Sequence, residues 1–446
     1  MSDFFKLVFG AMAGPIFIAL FVFLMYQALT LFNVNFGPVA SVMIALTPIW
    51  LPIALFFITF QRWMWYVNLK FEMYTGRSTL RIHLPQEVFK SPEAMEGVLA
   101  QIHNVNSPDN LMQTYIDGKT PLAFSLELVS IGGEVRFYIN VPTKKTKNAV
   151  EAQLYAYYPG IEVTEETFDY TDEITWDPDK YEYMSFHMGK TNDKQDFLPL
   201  KTYIDFGHDK IPKEEEKFEP MAAMLEQLSK FKPHERLWIQ FIITPHVKRA
   251  IKNGSLYEIP TWNTRAEAWI KEKLKRDVKT GLDEETQERA PMLTPGERET
   301  MTAVERNVGK YAYEVGIRWI YITEKGKFDG DAISPTIRSF AQYDVVGRNG
   351  VGVRWRTDFD YKFISDRSGR RQLAMKRQEL YDYKNRYYEH RDKKYRKDLT
   401  TVWSVEELAT MYHIPGTSVV TPGLPRILST RKEAPPNLPT GLARTI

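Results

Sequence analysis

The chain has 446 residues, with 58 Lys or Arg against 56 Asp or Glu and a formal net charge of +2. That balance gives no global reason to expect a polyanion partner. It contains no cysteine, which excludes disulfides, thiolate zinc sites and cysteine nucleophiles.

Residues 7–60 carry no Asp, Glu, Lys, Arg or His. The run is too long for one bilayer crossing and suits two, because a spanning helix needs about 20 apolar residues. Asn33-Val34-Asn35-Phe36-Gly37-Pro38 is turn-like, so the pattern predicts a transmembrane hairpin of helices at 7–32 and 39–60, within a domain covering 1–66. Lys6 precedes the first span, and Arg62, Lys70, Arg77 and Arg81 follow the second. The positive-inside tendency then predicts two spans in the cytoplasmic (inner) membrane, with both termini cytoplasmic and lipid as a partner.

Next comes an alternation of strand and helix signals. Leu80, Ile82 and Leu84 alternate with polar residues, and Ser91-Pro92 opens a helix carrying Met95, Val98, Leu99 and Ile102 on one face. Phe124, Leu126 and Leu128 alternate, Gly132-Gly133 turns the chain, and Val135, Phe137, Ile139 and Val141 run back. Thr146 opens a second helix that ends at Pro159-Gly160, and Ile161 starts a closing strand. The order β-α-β-β-α-β is that of a ferredoxin-like unit, predicted over 78–171.

The order recurs over 172–361, with one or two strands at 183–206, a helix around Met221–Leu228, strands at 237–243 and 315–321, and a helix opening at Ser334-Pro335. The expected fold class is therefore α+β: the hairpin, two ferredoxin-like (βαββαβ) units, and a helical basic C-terminal tail. The second unit would be interrupted by a charge-rich helical insertion near 246–311, with helices at 265–275 and 296–311.

The tail begins with a basic helix at 362–400. Residues 365–397 hold twelve Lys or Arg and five Asp or Glu, interleaved with Tyr381, Tyr383, Tyr387, Tyr388 and Tyr395. The cations are Arg367, Arg370, Arg371, Lys376, Arg377, Lys384, Arg386, Arg391, Lys393, Lys394, Arg396 and Lys397. Such a segment suits nucleic acid, through phosphate neutralisation and base stacking, or anionic lipid headgroups, or it is a solvated helix with i, i+4 ion pairs. The last stretch, 401–446, has a capping box at Ser404 and Glu407, then a proline-containing linker.

Catalytic signals are weak. Gly189-Lys190-Thr191 imitates a phosphate loop, but position 184 is Met184 where an earlier glycine is needed. The eight histidines show no zinc-enzyme spacing, and no nucleophile elbow or dinucleotide fingerprint occurs. Gly347-Arg348-Asn349-Gly350-Val351-Gly352 reads as a hairpin turn, and Asp358 and Asp360 share one side of a strand with nothing to separate their acidities. The expectation is no enzyme, no cofactor and no metal.

Several segments together carry a resemblance: Lys90-Ser91-Pro92-Glu93-Ala94 within 87–95, Ser130-Ile131-Gly132-Gly133-Glu134 within 124–134, Ala156-Tyr157-Tyr158-Pro159 within 150–159, His413-Ile414-Pro415-Gly416 within 407–416, and Ala434-Pro435-Pro436-Asn437 within 434–439. In this order they resemble the membrane-anchored region that precedes the motor in coupling-protein-like DNA-translocase ATPases of type IV secretion and conjugation, in the version found in candidate-phyla bacteria. The resemblance implies a non-catalytic scaffold of a DNA-transfer machine that tethers such an ATPase. The chain stops at Ile446, ahead of where the motor's phosphate loop would stand, so the resemblance implies either a separate VirD-type or FtsK-like ATPase or a fragment. DNA contact and homo-oligomerisation are further expectations. The alternative is a self-assembling ring or pore unrelated to DNA transfer.

Overall fold

The computed structural model describes residues 37, 41 and 44–427, apart from 87–91, 104–106, 143, 209, 212–216, 249, 252–253, 257, 259, 279–292, 358–368, 389–398, 418 and 420. It divides into two units, Met1–Tyr66 and Val67–Ile446. Helix α1 (Thr47–Thr75) runs through their boundary.

This helix corrects the membrane prediction. Among the described residues no helix is long and apolar enough to cross a membrane. As described, α1 runs from Thr47 and reaches Gln61 and Arg62 after Phe60, so this helix holds fewer charge-free residues than the roughly 20 that a crossing needs. Among the described residues nothing matches the expected span at 39–60, of which 39–40 and 42–43 lie outside them. Two spans, an inner-membrane location and a transmembrane hairpin are not supported, and the span expected at 7–32 lies outside the described residues.

Among the described residues of Val67–Ile446, ten strands form one sheet: β1 (Arg77–Pro85), β2 (Phe124–Ile131), β3 (Glu134–Pro142), β4 (Glu162–Glu165), β5 (Tyr181–Lys190), β6 (Glu235–Pro245), β7 (Ala312–Glu324), β8 (Val351–Arg356), β9 (Thr401–Ser404) and β10 (Arg426–Ile427). The order is β10-β1-β3-β2-β6-β7-β5-β8, with β4 on β1 and β9 on β7. Here too the expectation is corrected: the sheet is not two ferredoxin-like units. The reason is a seam, since β2 does not end a sheet but pairs with β6 along its whole length, from Phe124 opposite Ile243 to Ile131 opposite Arg236.

Alternation decides what each face carries, because neighbouring side chains on a strand point to opposite sides. Phe124, Leu126 and Leu128 of β2, Leu237, Ile239 and Phe241 of β6, and Val315, Ile317 and Trp319 of β7 belong to one apolar core. Helices cover it: α2 (Pro92–Ile102), α4 (Lys144–Tyr157), α5 (Ala222–Ser229), α8 (Gly330–Arg338) and α10 (Val405–Met411) contribute or flank it. The short α3 (Leu111–Tyr115) is capped by Asn110, whose side chain accepts from the Gln113 amide. On the other face Val129, Tyr138, Trp238, Ile320 and Ile322 pack with Tyr170, Leu380 and Tyr383. A third cluster joins Trp262 and Ala266 of α6 (Trp262–Val278) and Val304 of α7 (Pro295–Val308) to Phe197, Leu198, Ala312 and Val402.

Side-chain caps mark the starts of α3, α7, α8 and α10. Ser404 and Glu407 form the expected capping box on α10, and Thr294 and Glu297 form another on α7. Ser334-Pro335 does not open α8: Asp329 caps it five residues earlier, accepting from the Asp331 amide, and Pro335 lies inside. The β2–β3 turn needs Gly132 and Gly133 at φ 59° and 89°, the left-handed pair of a tight hairpin.

A methyl on Gly133 would stand 2.7 Å from the Ser229 carbonyl oxygen, whereas one on Gly326 (φ 78°) meets nothing within 4 Å. Gly326→Ala should cost only the left-handed strain, about 1–2 kcal/mol. Gly133→Ala should cost distinctly more, and urea unfolding of the two variants measures the difference.

Candidate functional site

The polar residues of the second face stand in a row. Glu127 of β2 is opposite Gln240 of β6, Gln240 is opposite Arg318 of β7, and Arg318 is opposite His187 of β5. All four are buried. Charged and amide groups in such a place need partners, or their desolvation is uncompensated. Helix α9 (Arg370–Lys384) and the turn after it supply them.

Glu127 accepts five hydrogen bonds. Ser125 Oγ donates at 2.7 Å, Tyr170 Oη at 2.7 Å, Gln240 Nε2 at 3.0 Å, and Arg386 donates twice, from Nε at 2.9 Å and Nη2 at 3.2 Å. Arg386 Nη1 also reaches Asp169 Oδ2 at 2.6 Å. The two-pronged guanidinium grip is the geometry that suits arginine to a buried carboxylate. Burial alone would lower the pKa of Arg386, but Glu127 and Asp169 hold it well above its ordinary value, so the ion stays charged. Arg386 sits at φ 51°, a left-handed non-glycine conformation that this double ion pair holds in place.

Arg318 Nη2 donates to Gln240 Oε1 at 2.5 Å and to the Asp382 carbonyl at 3.0 Å, and Nη1 donates to the Tyr387 carbonyl at 3.1 Å. His187 Nε2 is 2.8 Å from Glu379 Oε2, and its Nδ1 is 2.8 Å from Tyr388 Oη. Gly316 makes room for this turn, because a methyl there would collide with the Tyr388 ring. One side of α9, together with the turn after it, is thereby fastened to four strands.

The basic segment therefore divides. Arg386 is a buried structural ion, not a surface contact, and corrects the reading that grouped it with the binding cations. Lys384 is half-buried at the helix end. Arg370, Arg371 and Arg377 are exposed and Lys376 is half-buried, all on α9. Arg367, Arg391, Lys393, Lys394, Arg396 and Lys397 lie outside the described residues, as do Asp358 and Asp360.

Beside α9 is a groove that the sequence pattern did not reveal. Leu373, Ala374, Arg377, Gln378 and Tyr381 line it from the helix, and Trp176 and Pro178 from the facing turn, around a cavity of about 540 Å³. Trp176 was legible only as a tryptophan in the turn Trp176-Asp177-Pro178-Asp179. Nothing in that turn points across to a helix about two hundred residues later.

Other charged residues are used inside the fold. Lys190 of the imitation phosphate loop is buried at the end of β5, 2.7 Å from Glu407, and lies 5.7 Å from the Trp403 ring centre. Burial pushes Glu407 up, with Lys190 opposing. His413 is paired with Glu219. Among the described residues no group of three or more His, Asp or Glu is placed to hold a metal ion.

Residues 68–425 match the family described as Domain of unknown function (DUF8128), and the chain belongs to that family. A search among curated proteins found no match.

Arg386→Ala strands Glu127 in the interior, and the expected loss is about 3–5 kcal/mol of folding stability. Arg377→Ala, on the outer face, should stay within about 0.5 kcal/mol. Denaturant titration separates the two.

Burial pushes the Asp169 carboxyl up, but Arg386 and the Thr171 amide more than offset this and hold it below the ordinary aspartate value. A depressed carboxyl contributes stability above its unfolded value, and that contribution fades as pH falls below about 4. Asp169→Asn should therefore flatten the acid limb of a stability–pH curve, and an unchanged limb would refute the assignment.

Proposed function

We propose that the chain is a non-catalytic scaffold that contacts nucleic acid through the outer face of α9 and partners a separate ATPase of the DNA-translocase class. One observation carries the nucleic-acid reading. α9 is fastened to the sheet by buried ions on one side and presents Arg370, Arg371 and Arg377 on the other.

The placement of these cations runs against local helix chemistry. Arg370 and Arg371 occupy the first turn, where the helix dipole disfavours positive charge, and Gly369 supplies no side-chain cap. A sequence that accepts such a conflict on a well-anchored helix is consistent with a demand other than stability. Phosphate oxygens answer that demand, because they prefer a helix N-terminus and arginine together.

The scaffold reading rests on how the charged residues are used: Glu127, Arg386, Lys190, Glu407, His187 and Glu379 are committed to one another within the interior. The ATPase partner rests on the resemblance of segments 124–134, 150–159 and 407–416 to regions that precede such motors. Of the segments carrying that resemblance, 434–439 and the first part of 87–95, residues 87–91, lie outside the described residues.

The test is fluorescence anisotropy with labelled DNA across a salt series. Binding should weaken as salt rises, and replacing Arg370, Arg371 and Arg377 together by alanine should reduce the log–log slope by about 2–3. Salt-independent binding, or none, would end the nucleic-acid reading. Failure of affinity-purified protein to bring down an ATPase from its native cells would end the partner assignment.

A further inference from the structure

We propose that the groove between α9 and the 176–178 turn is a pocket for an unpaired nucleobase, so that the scaffold selects single-stranded over double-stranded nucleic acid. The proposal rests on the nucleic-acid reading above and specifies the form of the polymer.

The groove has the parts that base capture requires. Trp176 forms one wall and does not move freely, because its ring stacks on Tyr183 with centres 4.8 Å apart and planes 24° from parallel. The Tyr183 hydroxyl then clamps the same turn, donating to the Thr175 carbonyl at 2.9 Å and accepting from the Asp177 amide at 3.2 Å. From the helix comes Tyr381, 62% exposed although aromatic, with Leu373 at 44%. Two aromatic rings, one preset and one presented by a rigid helix, form a stacking platform that any base can use.

The polar lining fits a nucleotide as well. Arg377 brings a guanidinium to the same cavity, suited to the phosphate that accompanies the base. Gln378 donates one Nε2 hydrogen to Asp382 Oδ1 at 2.6 Å, which leaves a second N–H and its carbonyl oxygen to meet the polar edge of a base.

The acidic residues of the turn are engaged. Asp177 accepts from the backbone amides of Asp179 and Lys180 at 3.0 and 3.2 Å, and Asp179 pairs with Lys325 at 3.2 Å. A cavity of about 540 Å³ falls within the usual range of about 300–1,000 Å³ for small-ligand pockets. In a duplex the base faces are covered by their neighbours, and entry would require unstacking.

The experiment uses the full chain, a labelled mixed-sequence DNA strand and the same strand annealed to its complement. The single strand should bind more tightly than the duplex. Tyr381→Ala should weaken single-strand binding roughly tenfold and leave duplex binding unchanged, and Tyr381→Phe should retain the affinity. Tyr381 is exposed, and circular dichroism verifies that both variants fold.

Equal affinity for both forms, or a Tyr381→Ala variant that weakens both alike, would overturn the pocket while leaving the electrostatic reading in place. A wild-type chain that binds neither form would overturn both. Phosphatidylglycerol vesicles that displace the strand and lose affinity in Tyr381→Ala would overturn the proposal in favour of a lipid headgroup.

Discussion

The described architecture depends on one buried carboxylate. Glu127 stands in the middle of the sheet, next to the β2–β6 seam, on the face opposite the main apolar core. An isolated charge there would cost several kcal/mol. Its five donors come from β2 itself, β6, the segment at Tyr170 and the turn after α9, so satisfying one residue gathers four parts of the chain. Arg318, Gln240 and His187 extend the same logic along the row.

That requirement links interior to surface. Because the buried side of α9 must present Glu379, Asp382 and Tyr383 inward, helical periodicity leaves Leu373, Ala374, Arg377, Gln378 and Tyr381 on the other side. Those five residues line the groove. The electrostatics of the interior thus determine which side chains the helix shows, and the proposed binding face follows from the ion pairs beneath it.

Much of the secondary structure was legible in the sequence, because the signals were local. Apolar alternation marked β1, β2, β3, β6 and β7, and the Ser404–Glu407 capping box marked α10. What failed was long-range. Ser125, Glu127, Gln240 and Arg318 alternate with apolar residues, a local pattern that carries no sign of α9 and its following turn, which meet the last three. Arg386 looked like the other cations of its segment, since its partner Glu127 is 259 positions away. The β2–β6 pairing likewise leaves no local trace, which is why one sheet was read as two units. At α8 two local signals competed, and the Asp329 cap won over Ser334-Pro335.

The seam has a consequence for anyone who would cut this protein into pieces. β2 and β6 exchange main-chain hydrogen bonds over eight residue pairs. Separating the strands on either side would leave two long, apolar, unsatisfied borders, each a template for the wrong neighbour. Fragments ending between Glu165 and Tyr181 should therefore associate or precipitate, and expression has to respect the whole span from β1 to β10 as one indivisible object.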